Sequence, residues 1–431
     1  MILPKDESIL IVGAGCFGVS TAYHLLQRGY TDVTIIDRSP VIPAPDAASN
    51  DINRIVRSSY SDKFYAKLAR DAILSWKDKK WGGSYHESGV VVLGSSSSGE
   101  TYADGAYEND LSLGAAVKPL NDSDAVRSAF PAQVPTAAFD GFSGYLNRDG
   151  GWANAGLGLT SLINEVKALN GKFIPGKQID KIIREGGRTT GVHCSDGAVF
   201  NASLVIIATG SWTPSAFSEL DLGHICLATG QCVAMVQLSE EEAKVYKDCP
   251  VVVDFGASGF YVFPPNEQNI VKFAIHAPGY THFGEANPTI STPRTVTSDP
   301  VRGLHIPKVA LQELRSNLKR VYPDLAEKSF IGMRLCWYND SPDGDWVVSR
   351  YPKDESLILA TADSGHAYKF LPVIGGLIAD LVEDKLAPEL VAKFAIDRKI
   401  SQVDTSRSGQ VRTLELDGLC TLEDLKYPPA P

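Results

Sequence analysis

No apolar run in these 431 residues approaches the roughly 20 positions needed to cross a bilayer, so a membrane-spanning helix is not expected. There is no basic excess either. Lysine and arginine number 41 against 51 aspartates and glutamates, a net charge of −10, which argues against nucleic acid or an anionic membrane as the main partner. The seven cysteines (16, 194, 226, 232, 249, 336 and 420) are scattered, odd in number and without metal-ligand spacing; neither a disulfide scaffold nor a metal site is expected, and a reducing compartment is. No signal-type segment precedes the first apolar run, only Lys5, Asp6 and Glu7. The chain ends Tyr-Pro-Pro-Ala-Pro rather than in a Ser-Lys-Leu address, so the cytosol is the expected location. No internal repeat is visible. What remains, 44% hydrophobic and 21% charged, is a globular composition long enough for two domains and suited to a small-molecule partner.

The most informative segment runs from Ile9 to Asp37. Ile9-Leu10-Ile11-Val12 reads as a buried strand, and Gly13, Gly15 and Gly18 then allow a tight turn and a close approach of backbone to a pyrophosphate. Val19, Ala22, Tyr23 and Leu26 fall on one face of the following helix, which Gly29 ends. A second strand, Val33 to Ile36, delivers Asp37 about 20 residues after the glycines, where a carboxylate can accept hydrogen bonds from a ribose. Arg38, beside it, is placed with it among the cofactor-binding residues. The order of strand, glycines, helix, strand and acid marks a dinucleotide site at a helix N-terminus. FAD and NAD both satisfy it.

Further along, Leu204-Val205-Ile206-Ile207-Ala208-Thr209-Gly210 follows a hairpin-like segment, Gly191 to Gly197. It resembles the second nucleotide-contacting strand of two-domain flavoproteins, which puts FAD ahead of NAD. The expected fold is therefore α/β plus β: a Rossmann-type FAD-binding domain of the glutathione-reductase/D-amino-acid-oxidase kind, with an antiparallel-sheet substrate domain. Residues 1–88, 145–215 and 326–400 are assigned to the first, 89–144 and 216–325 to the second, and 401–431 to a C-terminal tail. Helices are expected from Phe64 to Trp76, within Gly151 to Leu169, and from Leu311 to Arg320. Strands are expected at Val90 to Leu93, Lys172 to Ile174, Gln231 to Val236, Val251 to Phe255, Phe260 to Phe263 and Ile270 to Ile275. Ser95 to Tyr107 and Gly279 to Val301 read as loops.

Lys272 stands in the middle of the apolar run Ile-Val-Lys-Phe-Ala-Ile. A lysine there cannot enter a core without a partner, so it sits at an edge or lines a functional cavity. Arg54 and Arg57 form an R-x-x-R pair just after the nucleotide-binding unit. Near the end come Arg334-Leu335-Cys336-Trp337-Tyr338-Asn339-Asp340-Ser341-Pro342-Asp343 and Asp363-Ser364-Gly365-His366-Ala367-Tyr368-Lys369-Phe370. With these motifs in order over nearly its whole length, the chain resembles the monomeric sarcosine oxidase family. The resemblance is to its fungal members in particular: the L-saccharopine and L-pipecolate oxidases and the fructosyl amino acid oxidases.

The resemblance implies roles residue by residue. Cys336, in its C-x-Y-x-x-x-P-D setting, would be joined through sulfur to the flavin 8α-methyl; the reactive species is a thiolate, for which Arg334 is a candidate polar neighbour. Lys272 would lie over the flavin and assist its reoxidation by O2, a task suited to a fixed positive charge. Arg54 would sit against the flavin, and Arg57 and Lys369 would clamp a substrate carboxylate, with His366 beside them. The helix opening after Gly365 would aim its N-terminus at the flavin pyrimidine edge. Ala367 and Tyr368 depart from a common glycine and phenylalanine there, so the backbone approach is open to difference.

His276, where fructosyl amino acid oxidases usually have an acidic pair, points toward an N-alkyl amino acid substrate. The expected chemistry is oxidation of a C–N bond to an imine, with O2 reduced to H2O2, by a monomer that needs no metal. His276 and Tyr261 are candidates to assist deprotonation or to contact substrate. A fructosyl amino acid oxidase, an amine oxidase of fungal specialised metabolism and a catalytically silent FAD-binding protein are the alternatives.

Overall fold

The computed structural model describes residues 3–95, 102–256, 258–285, 287–407 and 409–426. Its first sheet has six strands in the order Val347–Tyr351, Asp354–Thr361, Leu204–Ile207, Ile9–Val12, Val33–Ile36 and Lys172–Ile174. All neighbours are parallel except the first pair, an antiparallel hairpin. Ile9–Val12, the shortest possible reading of a buried strand, is central and closed on both faces. Because side chains alternate, Ile9 and Ile11 enter one hydrophobic cluster, and Leu10 and Val12 another. The first cluster is covered by the helices Cys16–Gln27, Ala155–Ala168 and Ile374–Val382. The second is covered by the three-stranded sheet Ile179–Glu185, Arg188–Cys194, Val199–Asn201.

The second sheet has ten strands and is built mainly of antiparallel pairs around the long strand Leu227–Gln237. Along Ile270–Ile275, Val271 and Phe273 turn to a cluster beneath the helix Lys308–Lys319, whereas Ala274 joins Val90, Val92, Tyr145, Tyr261, Cys336 and Tyr338 on the other face. Lys272, two positions before Ala274, shares that second face. This face looks toward the nucleotide-binding unit.

Three expectations about organisation change. Phe142–Asn147 pairs with Val90–Ser95 and Val117–Leu120, so Tyr145 to Asn147 belong to the ten-stranded layer and not to the FAD-binding segments. Gly332–Asp340, which carries Cys336, pairs along nine residues with Leu227–Gln237 and is likewise part of that layer. The C-terminal stretch is not a tail: Arg412–Thr413 pairs with Tyr280–Thr281, and Leu414, Leu419, Cys420 and Leu425 are buried in the substrate-layer core. Local structure differs as well. Residues 96–101 lie outside the described residues, but Tyr102–Ser112 is a helix, with Ala103, Ala106 and Asp110 inward at i, i+3 and i+7. The helix Lys63–Trp76 starts where Asp62 accepts hydrogen bonds from the Phe64 and Tyr65 N–H groups.

Candidate active site

A cleft of about 830 Å³ runs between the two sheets, from the glycine turn to the face bearing Tyr338. At one end, Gly13 has φ +107°, and a Cβ there would fall 2.4 Å from the Ala208 carbonyl oxygen, so no other residue fits this turn. Gly18 does not line the cleft; it lets the helix pack onto the turn, since a Cβ would lie 1.9 Å from the Gly13 carbonyl oxygen. Gly15 caps the helix Cys16–Gln27 without a side-chain acceptor, and Gly15, Cys16 and Phe17 all line the cleft. Asp37 accepts from Ala14 N (2.8 Å) and Ser39 N (2.8 Å) while still facing the cleft. Burial raises its pKa, against the pull of those two N–H groups. The Arg38 guanidinium stacks 3.6 Å from the Trp212 ring. This cradle has the glycine contacts, helix end and carboxylate that an FAD adenosine diphosphate requires.

At the other end stand Arg54, Tyr338, Asp363, Gly365, Ala367 and Tyr368. Gly365 has φ +70°, and a Cβ would meet the Tyr338 ring at 2.3 Å. Arg54 donates to the Ala48 carbonyl oxygen (2.8 Å) and to Cys336 Sγ (3.1 Å), and pairs with Asp51 at 3.1 Å. The polar neighbour of the Cys336 sulfur is thus Arg54; Arg334 is spent on the carbonyls of Asn50 and Ala47, which it holds at 2.8 and 2.9 Å. Lys272 is wholly buried, with Nζ 2.9 Å from Asp51 Oδ2 and also bonded to the Asn53 carbonyl. Burial, with Arg54 adding to it and Asp51 opposing, pushes its pKa down to about 8. For Asp51, burial is outweighed by Lys272, Arg54 and Arg334, and its carboxyl is held well below the usual range. Tyr261 is buried in the same cluster as Cys336 and Tyr338.

The helix N-terminus expected after Gly365 is elsewhere. Residues Tyr368–Phe370 form a single tight turn, the helix begins only at Ile374, and its Gly375 N–H is already bonded to Ser20 Oγ at 2.9 Å. The turn backbone, not a helix dipole, faces the cleft.

A second cavity of about 440 Å³ adjoins the first. The partition is one backbone thick: Asp363 and Gly365 line the large cleft, Ser364 and His366 the small one. Arg57 enters this chamber with its guanidinium 4.7 Å from the Tyr60 and Phe255 rings. Lys369 donates to Tyr60 OH (2.7 Å) and to the His366 carbonyl (2.8 Å); burial and then the charge of Arg57 lower its pKa well below the ordinary lysine value. His366 Nε2 donates to the Gly344 carbonyl (2.9 Å), which leaves Nδ1 to accept from Tyr60 OH (3.1 Å) and fixes the neutral tautomer.

His276 also lines this chamber, but its Nε2 accepts from Arg407 Nε at 3.4 Å, so that lone pair is occupied. Burial and Arg407 together hold its pKa well below 6.5. Arg407 in turn clamps Asp340 bidentately at 2.8 and 2.9 Å. Residues 401–406 complete the chamber wall. Asp51, Tyr60, Asp363 and Arg407 were not singled out from sequence. Asp51 stands three residues before Arg54, and a buried lysine in need of a carboxylate was the available signal; for Arg407, in a polar stretch, there was none.

The chain matches the FAD dependent oxidoreductase family over residues 8–381. It belongs to that family. L-saccharopine oxidase of Schizosaccharomyces pombe is 31% identical over 406 residues, covering 89% of this chain and 92% of that protein. Human peroxisomal sarcosine oxidase is 24% identical over 402 residues, covering 90% and 95%. Among solved structures, fructosyl amine:oxygen oxidoreductase (Amadoriase I) of Aspergillus fumigatus superposes with a TM-score of 0.83 at 28% identity, covering 98% of this chain and 99% of that one. The fold is that of these FAD oxidoreductases, and FAD is the cofactor of the family. No helix among the described residues is long and apolar enough to cross a membrane.

Proposed function

We propose that this chain oxidises the secondary amine of an N-alkyl amino acid of the saccharopine or pipecolate type to an imine, passing the electrons to O2 as H2O2, with FAD joined to Cys336. The carrying observation is Arg57 lining a cavity separated from the FAD cleft only by Asp363 to His366, with Lys369 bonded to the hydroxyl of Tyr60, which lines the same cavity. FAD, when bound, supplies the two-electron acceptor. Arg57 and Lys369 hold the substrate carboxylate, which orients the adjacent C–H bond toward the cofactor that the cleft would hold. The buried cations Arg57 and Arg407 around two neutral histidines favour the unprotonated amine, the form that can be oxidised. The charge of Lys272, fixed by Asp51, stabilises negative charge developing on O2 at the cleft. Arg54, bonded to Cys336 Sγ, holds in place the sulfur that attaches to the flavin.

The test is a visible spectrum before and after acid precipitation, followed by anaerobic addition of L-saccharopine, L-pipecolate, sarcosine and fructosyl-valine. Flavin retained in the pellet and bleached by one of the first three supports the proposal. Flavin in the supernatant removes the Cys336 link, bleaching by fructosyl-valine alone makes the chain a fructosyl amino acid oxidase, and bleaching by none removes this substrate class.

A further inference from the structure

The cleft carries a carboxyl group that neither cofactor attachment nor substrate binding uses. Asp363 faces the cleft from the partition. One of its oxygens accepts from Asn339 N at 2.8 Å; among the described residues no donor is bonded to the other. The backbone is bent to present it. Ala362 and Ser364, on either side, have φ of 55° and 46°, in the left-handed region that L side chains rarely adopt. Cross-links hold this bend in place: Ser364 N donates to the Asn339 carbonyl (2.9 Å), and Ser341 N to Ser364 Oγ (3.1 Å). Strain of this kind persists only where the surroundings over-determine it, and here what it delivers is a carboxyl oxygen pointed into the cofactor site.

We propose that Asp363 contacts bound FAD and takes up a proton when the cofactor is reduced. The charges around it suit that role. Asp340, next to it, and burial oppose its ionisation; Arg407 from the C-terminal segment and Arg54 from the strand Arg54–Val56 favour it, and the thiols of Cys16 and Cys226 are its other titratable neighbours. The net result is a carboxyl raised to about 7, burial being the largest cause. It is therefore poised to change protonation when a further negative charge appears beside it.

The balance closes. A neutral secondary amine loses two electrons and one hydrogen to the cofactor as hydride, and its N–H proton is released. One equivalent proton is bound by the Asp363 carboxylate, so imine, singly protonated reduced cofactor and neutral Asp363 together carry the same charge as the reactants. Reoxidation by O2 needs one proton beyond the hydrogen already on the cofactor to form H2O2, and Asp363 returns it.

The inference rests on FAD binding and not on the substrate reading, so its test uses photoreduction of the loaded enzyme without substrate. Protons taken up per two electrons are counted with an indicator dye across about pH 5.5 to 8.5, a range spanning the Asp363 titration. Wild type is expected to take up close to one proton more than Asp363→Asn at the alkaline end, and no more at the acid end, where Asp363 is already protonated. Asparagine can still accept from Asn339 N–H, and Lys272 titrates in both proteins, so its contribution cancels. Asp363→Glu, which keeps the carboxyl, retains the extra proton. Equal counts in wild type and Asp363→Asn at every pH overturn the proposal. If the variants do not load FAD, the wild-type reduced-minus-oxidised infrared spectrum with 13C-labelled aspartate decides. A label-sensitive protonated-carboxyl band appearing on reduction at the alkaline end supports the role, and its absence overturns it.

Discussion

Lys272 Nζ lies 2.9 Å from Asp51 Oδ2, a contact between residues 221 positions apart that joins the ten-stranded sheet to the loop after the nucleotide-binding unit. Neither group would be tolerated alone at this depth, since an unpaired buried charge costs several kcal/mol. The pair, with Arg54 on the same carboxylate, carries a net positive charge, and of the three Arg54 lines the cleft.

Replacing Lys272 by methionine keeps the volume and removes the charge. The expected result is anaerobic flavin reduction at close to the wild-type rate and reoxidation by O2 slowed by roughly a hundredfold or more, the usual cost of deleting one transition-state charge partner. Stopped-flow measurement of the two half-reactions separates them. In the wild type, the lysine loses its proton as pH rises through about 8, so the reoxidation rate constant falls above that pH.

On the proposed role of Arg57, Arg57→Ala removes a charge-assisted hydrogen bond to the substrate carboxylate, worth about 1.5–3 kcal/mol, and is expected to raise KM roughly ten- to a hundredfold for carboxylate-bearing amines. An N-methyl amine lacking the carboxylate discriminates against neither enzyme. Comparing the two substrates checks that the loss is of recognition and not of folding.

Gly365→Ala forces a side chain into a φ of +70° and into the Tyr338 ring. The expected outcome is a folded protein isolated with little or no flavin, read from the ratio of visible to ultraviolet absorbance.

Arg407→Ala leaves Asp340 without its bidentate partner at a site where the two side chains are 8% and 12% exposed. Breaking a buried pair from one side costs about 3–5 kcal/mol, which urea unfolding reports directly. The double change Arg407→Ala, Asp340→Asn recovers part of that loss, because the stranded charge is gone.

The nucleotide-binding end was readable because its chemistry is local: Gly13 to Asp37 form one strand-turn-helix-strand unit whose periods announce themselves. Lys272 was legible as an anomaly, a charge inside an apolar strand, although the sequence did not name Asp51 as its partner. Cys336, Arg57 and Lys369 were singled out through their motifs alone, and their roles remain part of the proposal. The C-terminal stretch was not, because a two-residue strand at Arg412–Thr413 and isolated buried residues such as Leu414, Leu419 and Leu425 have no period to detect. Arg407 was lost for the same reason. The Cys336 strand was assigned to the wrong layer because a single sequence carries no record of which strand it pairs with.

The six-stranded sheet also governs how the molecule is made. Its central strand, Ile9–Val12, pairs on one side with Val33–Ile36, close by, but on the other with Leu204–Ile207, which in turn waits for Asp354–Thr361. Parallel pairing between such distant stretches requires large loops to close before any ladder bond forms, the arrangement that makes folding slow. During synthesis the glycine turn therefore emerges long before the strands that complete its cradle. A dinucleotide present in the cell can grip only the nearly finished chain, and the chamber residues 401–406 come later still.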